Sequence, residues 1–584
     1  MEKHENCIIF LETDEEYASS FKEYCADRNY CVHEIIGDPD NFKKDITTQF
    51  YPVAVINVSA LTDPKKYLHK IREQTSETQI IVISNEDRHK LINEIISAPN
   101  DYADASLGSK DEYKISDLLD HCQIFMEDID NAYNKIKINY ADDIEETISN
   151  FSKFWKNISS KSFRLSNTRI RRELEIVIKK LFLGASDNEP ISSTIDVETL
   201  IGSGKSSAYL FKLAPRVNLN SSLRKYAVLK FGPKFEVKLE SHNYDKYVEW
   251  FLTVQQTVKK IAYEETANFA GLLYGFPMDS DRGFVSFADF VRTKNVEMSC
   301  NIIEELFSTE NKHWLAIDGT MYKHKVPTDT QTYYIDYGIR ATEESITNEF
   351  EKLTASLNEL SIKRGAKVLK VDDTKKTITI APISLTIPNP VKYMMLPYTK
   401  RIDLSLVHGD LHANNILIGT DAKTNENKCF LIDFYYTGFG HIFRDFIDLE
   451  LSIRYDILCS RHISGDTDRL TRNDSKDISN SGLNLLKQLE KDIIKYHVNG
   501  LELDKESQTY KDSRLLKVYK LVTTIRNMAF MNFPDRKEQY YTGLAYSSIK
   551  AIKYFFPLDV KLYRLMISGL YFDLVGKPGA GNIQ

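Results

Sequence analysis

No stretch of this sequence strings together the roughly 20 apolar residues of a membrane-spanning helix. The opening "MEKHENCIIFLETDEE" turns acidic after one short apolar run. Neither a signal peptide nor a transmembrane helix is therefore expected. Cysteine is sparse, with Cys7, Cys25, Cys31, Cys122, Cys300, Cys429 and Cys459 scattered, odd in number and never spaced C-x-x-C. That usage argues against structural zinc and a disulfide framework, and predicts reduced thiols in a cytoplasmic protein. Positive charge is not in excess: the net charge is -7, which argues against general nucleic-acid affinity. The local run Arg169, Arg171 and Arg172 reads as a solvated helix face, with a nucleic-acid contact as the alternative.

A Walker A loop is also missing. "LIGSGKSSAYLFKL" (residues 200–213) carries Gly-Lys-Ser, but the first glycine of G-x-x-x-x-G-K-[ST] should stand at 199, which is Thr199. Gly202 leaves too few residues to wrap a phosphate in backbone N–H groups. The remaining readings are a plain turn or a glycine-rich strand-turn-strand loop lying over ATP phosphates.

What is present is a soluble globular composition, 42% hydrophobic and 27% charged over 584 residues. That length predicts roughly three or four domains. Residues 1–125 alternate "CIIFL", "CVHEII", "PVAVINV" and "TQIIVIS" with amphipathic segments, the pattern of a parallel sheet with crossover helices. This stretch resembles a response-regulator receiver domain of flavodoxin-like α/β fold. Glu12 and Asp14 stand at the acidic pair, Ser84 at the hydroxyl after strand four, and Lys110 one residue late for the usual lysine. The phosphoryl-accepting aspartate is replaced by Asn57, whose amide forms no acyl phosphate. The resemblance thus implies a degenerate receiver used for protein contacts or homodimerisation. Residues 126–190 repeat apolar positions three and four apart and read as an amphipathic helical connector.

The most informative segment is "LSLVHGDLHANNILIGTDAKTNENKCFLIDFYYTGFGHIFRDFIDLELS" (residues 404–452). An apolar strand runs into His408-Gly409-Asp410, Asn415 follows five residues after Asp410, and a later strand ends on Asp433. Phosphoryl transfer needs one carboxylate facing the acceptor hydroxyl and oxygen ligands that hold Mg²⁺ against the phosphates. Asp410 suits the first task; Asn415 and Asp433 suit the second. His408 and His412 have the i, i+4 spacing of zincin ligands, but Gly409 takes the place of the glutamate and the run leaves a strand, not a helix.

"HGDLHANNIL" with "LIDF", and no Arg before Asp410, resembles the aminoglycoside-phosphotransferase and choline-kinase branch of the protein-kinase-like fold. More closely, it looks like a bacterial subfamily found in multidomain signalling or conflict-system proteins, sometimes beside receiver modules. The resemblance spans about residues 195–580 and is specific only in that segment. Two departures stand out. Phe434-Tyr435 follows Asp433, without the glycine of D-F-G, and the substrate-side segments match no recognisable antibiotic-modifying enzyme.

The resemblance implies a multidomain chain. An α/β flavodoxin-like receiver domain (1–125) and a helical connector (126–190) precede a bilobal α+β protein-kinase-like phosphotransferase domain. Its N-lobe would be 191–276 and its C-lobe 277–584, with an insertion at about 316–400. Gly202 and Gly204 would let backbone approach phosphate, and Lys230 in "YAVLKFG" would pair with the α- and β-phosphates. Glu240 or Glu249 would be its carboxylate partner, and Asp445 would brace the catalytic loop, its other reading being a helix N-terminal charge. The insertion, with a hairpin turning at Asp372-Asp373, reads equally as a lid or a surface module. ATP and Mg²⁺ are the implied cofactors and an unknown hydroxyl compound the acceptor. The alternatives are a nucleotide-binding pseudokinase acting as an interaction switch, and a scaffold without nucleotide.

Overall fold

The computed structural model describes residues 7–48, 51–72, 75, 78–85, 103, 105–109, 114–133, 136–158, 167–183, 194–201, 208–215, 227–249, 258–275, 284–308, 355, 369–372, 376–390, 403–420, 426–458, 480–553 and 558–576. The chain divides into two compact units, Met1–Ser241 with Lys259–Phe276, and His242–Val258 with Pro277–Gln584.

In the first unit, β1 (Cys7–Glu12), β2 (Cys31–Ile36), β3 (Val53–Asn57), β4 (Gln79–Ser84) and β5 (Ala105–Ser109) form a parallel sheet in the order β2-β1-β3-β4-β5. Side chains alternate across a strand, so a sheet covered on both faces reads as continuous apolar runs. Ile9, Leu11, Ala54, Ile56, Ile80 and Val82 meet Phe42, Ile46, Leu68 and Ile71 on one face. Ile8, Phe10, Val53, Val55, Ile81 and Ile83 meet Phe21, Leu118, Leu119 and Cys122 on the other. This is the doubly wound, flavodoxin-like order.

Two expectations change here. The helix Ile115–Tyr133 runs past the boundary expected at 125. Cys7 and Cys31 are register partners on adjacent strands and are joined as a disulfide, with Cα atoms 4.4 Å apart. The reading of all seven cysteines as reduced thiols is corrected at this pair.

A second sheet contains β6 (Lys137–Tyr140), β7 (Thr194–Ile201), β8 (Tyr209–Pro215), β9 (Ala227–Pro233), β10 (Lys259–Glu265) and β11 (Phe269–Gly275), in the order β10-β11-β9-β8-β7-β6. Only β6 is parallel to its neighbour. The residues expected to be a helical connector thus supply an edge strand. They also supply two covering helices, Ile144–Ile158 and Asn167–Leu183, whose Ile148, Phe151, Leu174 and Val177 share a core with Val197, Phe211, Leu229 and Leu273. The approach is close: a Cβ on Gly271 would lie 2.3 Å from Val177 Cγ1.

The arginine run is a solvated face only in part. Arg169 is fully buried and donates to Glu173 at 2.6 Å, and Glu173 in turn accepts from the Asn268 N–H and side chain and from Thr266 Oγ1. Arg171 pairs with Glu145 and Arg172 with Glu175. Of these, the Arg171–Glu145 pair stays at the surface.

In the second unit, β12 (Phe284–Ser286) joins a sheet completed further along the chain. β13 (Leu369–Val371), β14 (Thr377–Ile380) and β15 (Leu385–Pro388) form an antiparallel sheet, with Ile378, Ile380 and Ile387 buried. This is the described part of the expected insertion. Asp372 accepts from the Lys376 and Thr377 N–H groups, closing the first turn; Asp373 lies outside the described residues, as do residues 316–354. Lys487 donates to the Ile383 carbonyl at 2.8 Å, so this sheet is tied to the helix Asn480–Asp492.

β16 (Leu404–Val407) comes next, followed by β17 (Ile416–Thr420), β18 (Asn427–Leu431) and β19 (Gly438–His441). β17 pairs with β12 and β18, and β16 with β19. Helices Arg444–Leu458, Ser513–Asn532, Lys537–Lys550 and Leu558–Val575 supply the core. Among the described residues, no helix is long and apolar enough to cross a membrane.

Candidate active site

Lys230 sits on β9 with all of that strand's side chains buried. An ammonium taken out of water needs a counter-charge. Glu240, on the helix Lys234–Asn243, supplies it with Oε2 2.5 Å from Nζ. The other Glu240 oxygen accepts from Tyr274 Oη at 2.7 Å, which fixes the carboxylate. Glu249 is exposed, so the choice left open in the sequence falls to Glu240. The tyrosine was not anticipated: β11 is buried almost throughout, and nothing in that run marks Tyr274 or its partner. Gly202 and Gly204 lie outside the described residues.

In the second unit the segment after β16 is built on backbone hydrogen bonds to side chains. Gly409 has φ +82°, and a Cβ there would lie 2.3 Å from the Tyr436 carbonyl oxygen, so glycine alone suits the turn. Asp445 accepts the His408 N–H at 2.7 Å and the Gly409 N–H at 2.9 Å, one on each oxygen. It is also the second residue of the helix Arg444–Leu458, so bracing and helix-terminal placement coincide. Burial pushes its pKa up to about 7, against the pull of those two donors.

Asp410 follows the turn with its side chain 42% exposed, and His412 Nε2 lies 3.8 Å from its Oδ2. A 3₁₀ turn, Ala413–Asn415, brings Asn415 back, and its Nδ2 donates to the Asp410 carbonyl at 2.9 Å. With the nitrogen so used, the amide oxygen is the atom Asn415 can offer a cation.

Asn415 also accepts the Ile432 N–H at 3.1 Å, which places β18's end, and Asp433 after it, beside this turn. His408, fully buried, donates from Nε2 to the Ile432 carbonyl at 2.9 Å and is thus not placed as a zinc ligand. Asp433 has φ +70°, the left-handed region that a non-glycine residue enters only when its surroundings hold it there. Hydrogen bonds thus link Asp410, Asn415 and Ile432, the residue before Asp433.

Among the described residues, no three His, Cys, Asp or Glu side chains gather to hold a metal by themselves. A cation here would take Asn415 and Asp433 and complete its shell with ligand oxygens and water. Mg²⁺ accompanying substrate phosphates is held in that manner. The donor set fits such an ion and not a dedicated protein cage.

A family model described as ternary complex associated domain 9 matches residues 363–553, about a third of the chain and inclusive of this loop. No curated protein matches. A receiver domain of a Francisella response regulator is 21% identical at a TM-score of 0.19, covering 21% of this chain and 98% of that one. A Ralstonia eutropha protein assigned as an aminoglycoside phosphotransferase is 12% identical at 0.32, covering 69% and 98%. An aminoglycoside phosphotransferase of Streptomyces rimosus, solved with ADP and streptomycin, is 15% identical at 0.22, covering 56% and 92%. With TM-scores this low, the functional reading rests on the chain's own geometry.

Proposed function

We propose that residues 191–584 are a kinase-like phosphotransferase domain using ATP and Mg²⁺, preceded by a receiver-like domain without phosphoacceptor chemistry. The acceptor would be a hydroxyl compound of unassigned identity. One observation carries the reading. Asp410 projects a half-exposed carboxylate from a loop tied to Asn415 and braced by Asp445, and Ile432, between β18 and Asp433, is bonded to the same loop. Bound Mg²⁺ would neutralise phosphate charge as it develops.

The chain's own groups would do the rest. Asp410 would orient the acceptor hydroxyl and take its proton. Asn415 and Asp433 would present oxygens to the metal, and Lys230, held by Glu240, would meet the phosphates. The β7 to β11 arrangement, antiparallel with its helix after β9, is what the resemblance leads one to expect of an N-lobe.

Deleting Asp433's carboxylate tests the metal role. Calorimetric titration of the Asp433→Ala variant with ATP should show an affinity that Mg²⁺ no longer raises, while the wild type shows one that it does. Equal Mg²⁺ dependence in both proteins would count against this assignment.

A further inference from the structure

We propose that Asn243 is a positioning residue for Asp433, an inference that rests on the metal role just given to that aspartate. The left-handed backbone of Asp433 must be held from both sides. Upstream, Ile432 is fixed by its N–H to the Asn415 carbonyl and its carbonyl to His408 Nε2, both contacts within the catalytic loop itself. Downstream, the fixing atoms come from a distant part of the sequence. Asn243 Nδ2 donates to the Phe434 carbonyl at 3.3 Å and to the Tyr435 carbonyl at 2.7 Å. The Phe434 carbonyl also accepts the Thr437 N–H at 3.1 Å.

An amide nitrogen carries two hydrogens, and two successive carbonyls take both. Asn243 ends the helix Lys234–Asn243 and precedes a π-helical turn, Tyr244–Val248, yet its side chain makes no capping bond to that turn. Its donors serve the Asp433 segment instead. The π turn adds two ring contacts on the same stretch: Tyr244 edge-on to Phe434 at 5.6 Å and Tyr247 edge-on to Phe439 at 6.1 Å. Tyr244 is itself anchored by its hydroxyl to the Val258 carbonyl at 3.0 Å. A wider turn of this kind inside a helix often marks a functional position. Here two of its residues, with Asn243 just before it, meet the segment that follows Asp433.

The side chain that supports a metal ligand typically alters metal affinity by about 10- to 100-fold when removed. The test is calorimetry of the full chain with ADP, in Mg²⁺ and in excess chelator. In wild type, Mg²⁺ should raise ADP affinity. In Asn243→Ala that increment should fall by about tenfold, with metal-free ADP affinity unchanged. Asn243→Ser keeps one hydroxyl donor and should fall between them. Asn243→Asp turns an oxygen toward two carbonyls and should lose at least as much as alanine. Should Asn243→Ala not fold, as judged by circular dichroism, the serine and aspartate variants carry the same comparison. An undiminished Mg²⁺ increment in the folded variants would overturn the proposal, as would an equal loss with and without Mg²⁺. A wild type whose ADP affinity ignores Mg²⁺ would instead sink the phosphotransferase reading itself.

Discussion

Gly409 shows how much of the site is decided by single residues. Alanine there would enter the left-handed region, at a cost of about 1–2 kcal/mol, and its Cβ would press on the Tyr436 carbonyl oxygen at 2.3 Å. Gly409→Ala should therefore lose at least about 2 kcal/mol in urea denaturation; a change under about 0.5 kcal/mol would show that the turn is less constrained than drawn.

Asp445 offers a pH test. Its folded pKa of about 7 lies above the ordinary carboxylate value of 3.8. Between those values the folded state binds the extra proton, so this group's contribution to stability falls as pH rises and levels off above about 7. Asp445→Asn removes the titration. The stability difference, wild type minus variant, should decline from pH 4 to 7, and a flat difference would contradict the buried, raised carboxyl. That Asp410 and Asn415 share one loop was legible in the sequence because only five residues separate them. Asn243 and Tyr274 were not, because each bonds a partner distant in sequence and polar residues on helices and strands carry no mark of that.

Among the elements, the helix Arg444–Leu458 ties the loop to the core. Asp445 near its start holds the loop, while Glu450 further along is fully buried and accepts from Arg454, Arg526 and Tyr540. Burial drives the Glu450 pKa up, but Arg526 and Arg454 outweigh it and hold the group down at about 2. Arg454 also pairs with Glu490, which accepts from Tyr563 at 2.7 Å.

Removing one partner of such a network leaves a buried charge short of compensation, at a typical cost of 3–5 kcal/mol. Arg526→Met should thus be destabilised by about that much in chemical denaturation. A loss below about 1 kcal/mol would mean the network relaxes around the gap. None of this network was read from the sequence. Segment 126–190 was misjudged. Its helical periodicity was clear, but periodicity does not say which sheet a helix covers, and the four residues of β6 are too few to stand out.

At the scale of the whole molecule, the sequence pattern was sufficient for the parallel sheet of the first unit, because buried strands read as unbroken apolar runs. The same sheet carries a hydrogen-bonded cluster where a receiver would hold its cation. Asn57 Nδ2 donates to Glu12 Oε1 at 2.7 Å and to Asn85 Oδ1 at 2.6 Å. Ser84 Oγ lies 3.2 Å from Ser59 Oγ, while Asp14 accepts from Tyr17 N–H as the cap of its helix. Incubation with acetyl phosphate should leave residues 1–125 unmodified by intact mass. A hydroxylamine-labile phosphoryl adduct there would show that another side chain is the acceptor.

The central claim is that this chain transfers a phosphoryl group and that Asp410 does the chemistry at the acceptor. It is tested most directly by following label from γ-³²P-ATP into cell-lysate acceptors, with Mg²⁺, for wild type and Asp410→Ala side by side. The account predicts transfer by wild type, none above background by the variant, and equal ATP binding by both. Wild type without any Mg²⁺-dependent transfer, or a variant that transfers at the wild-type rate, would contradict it.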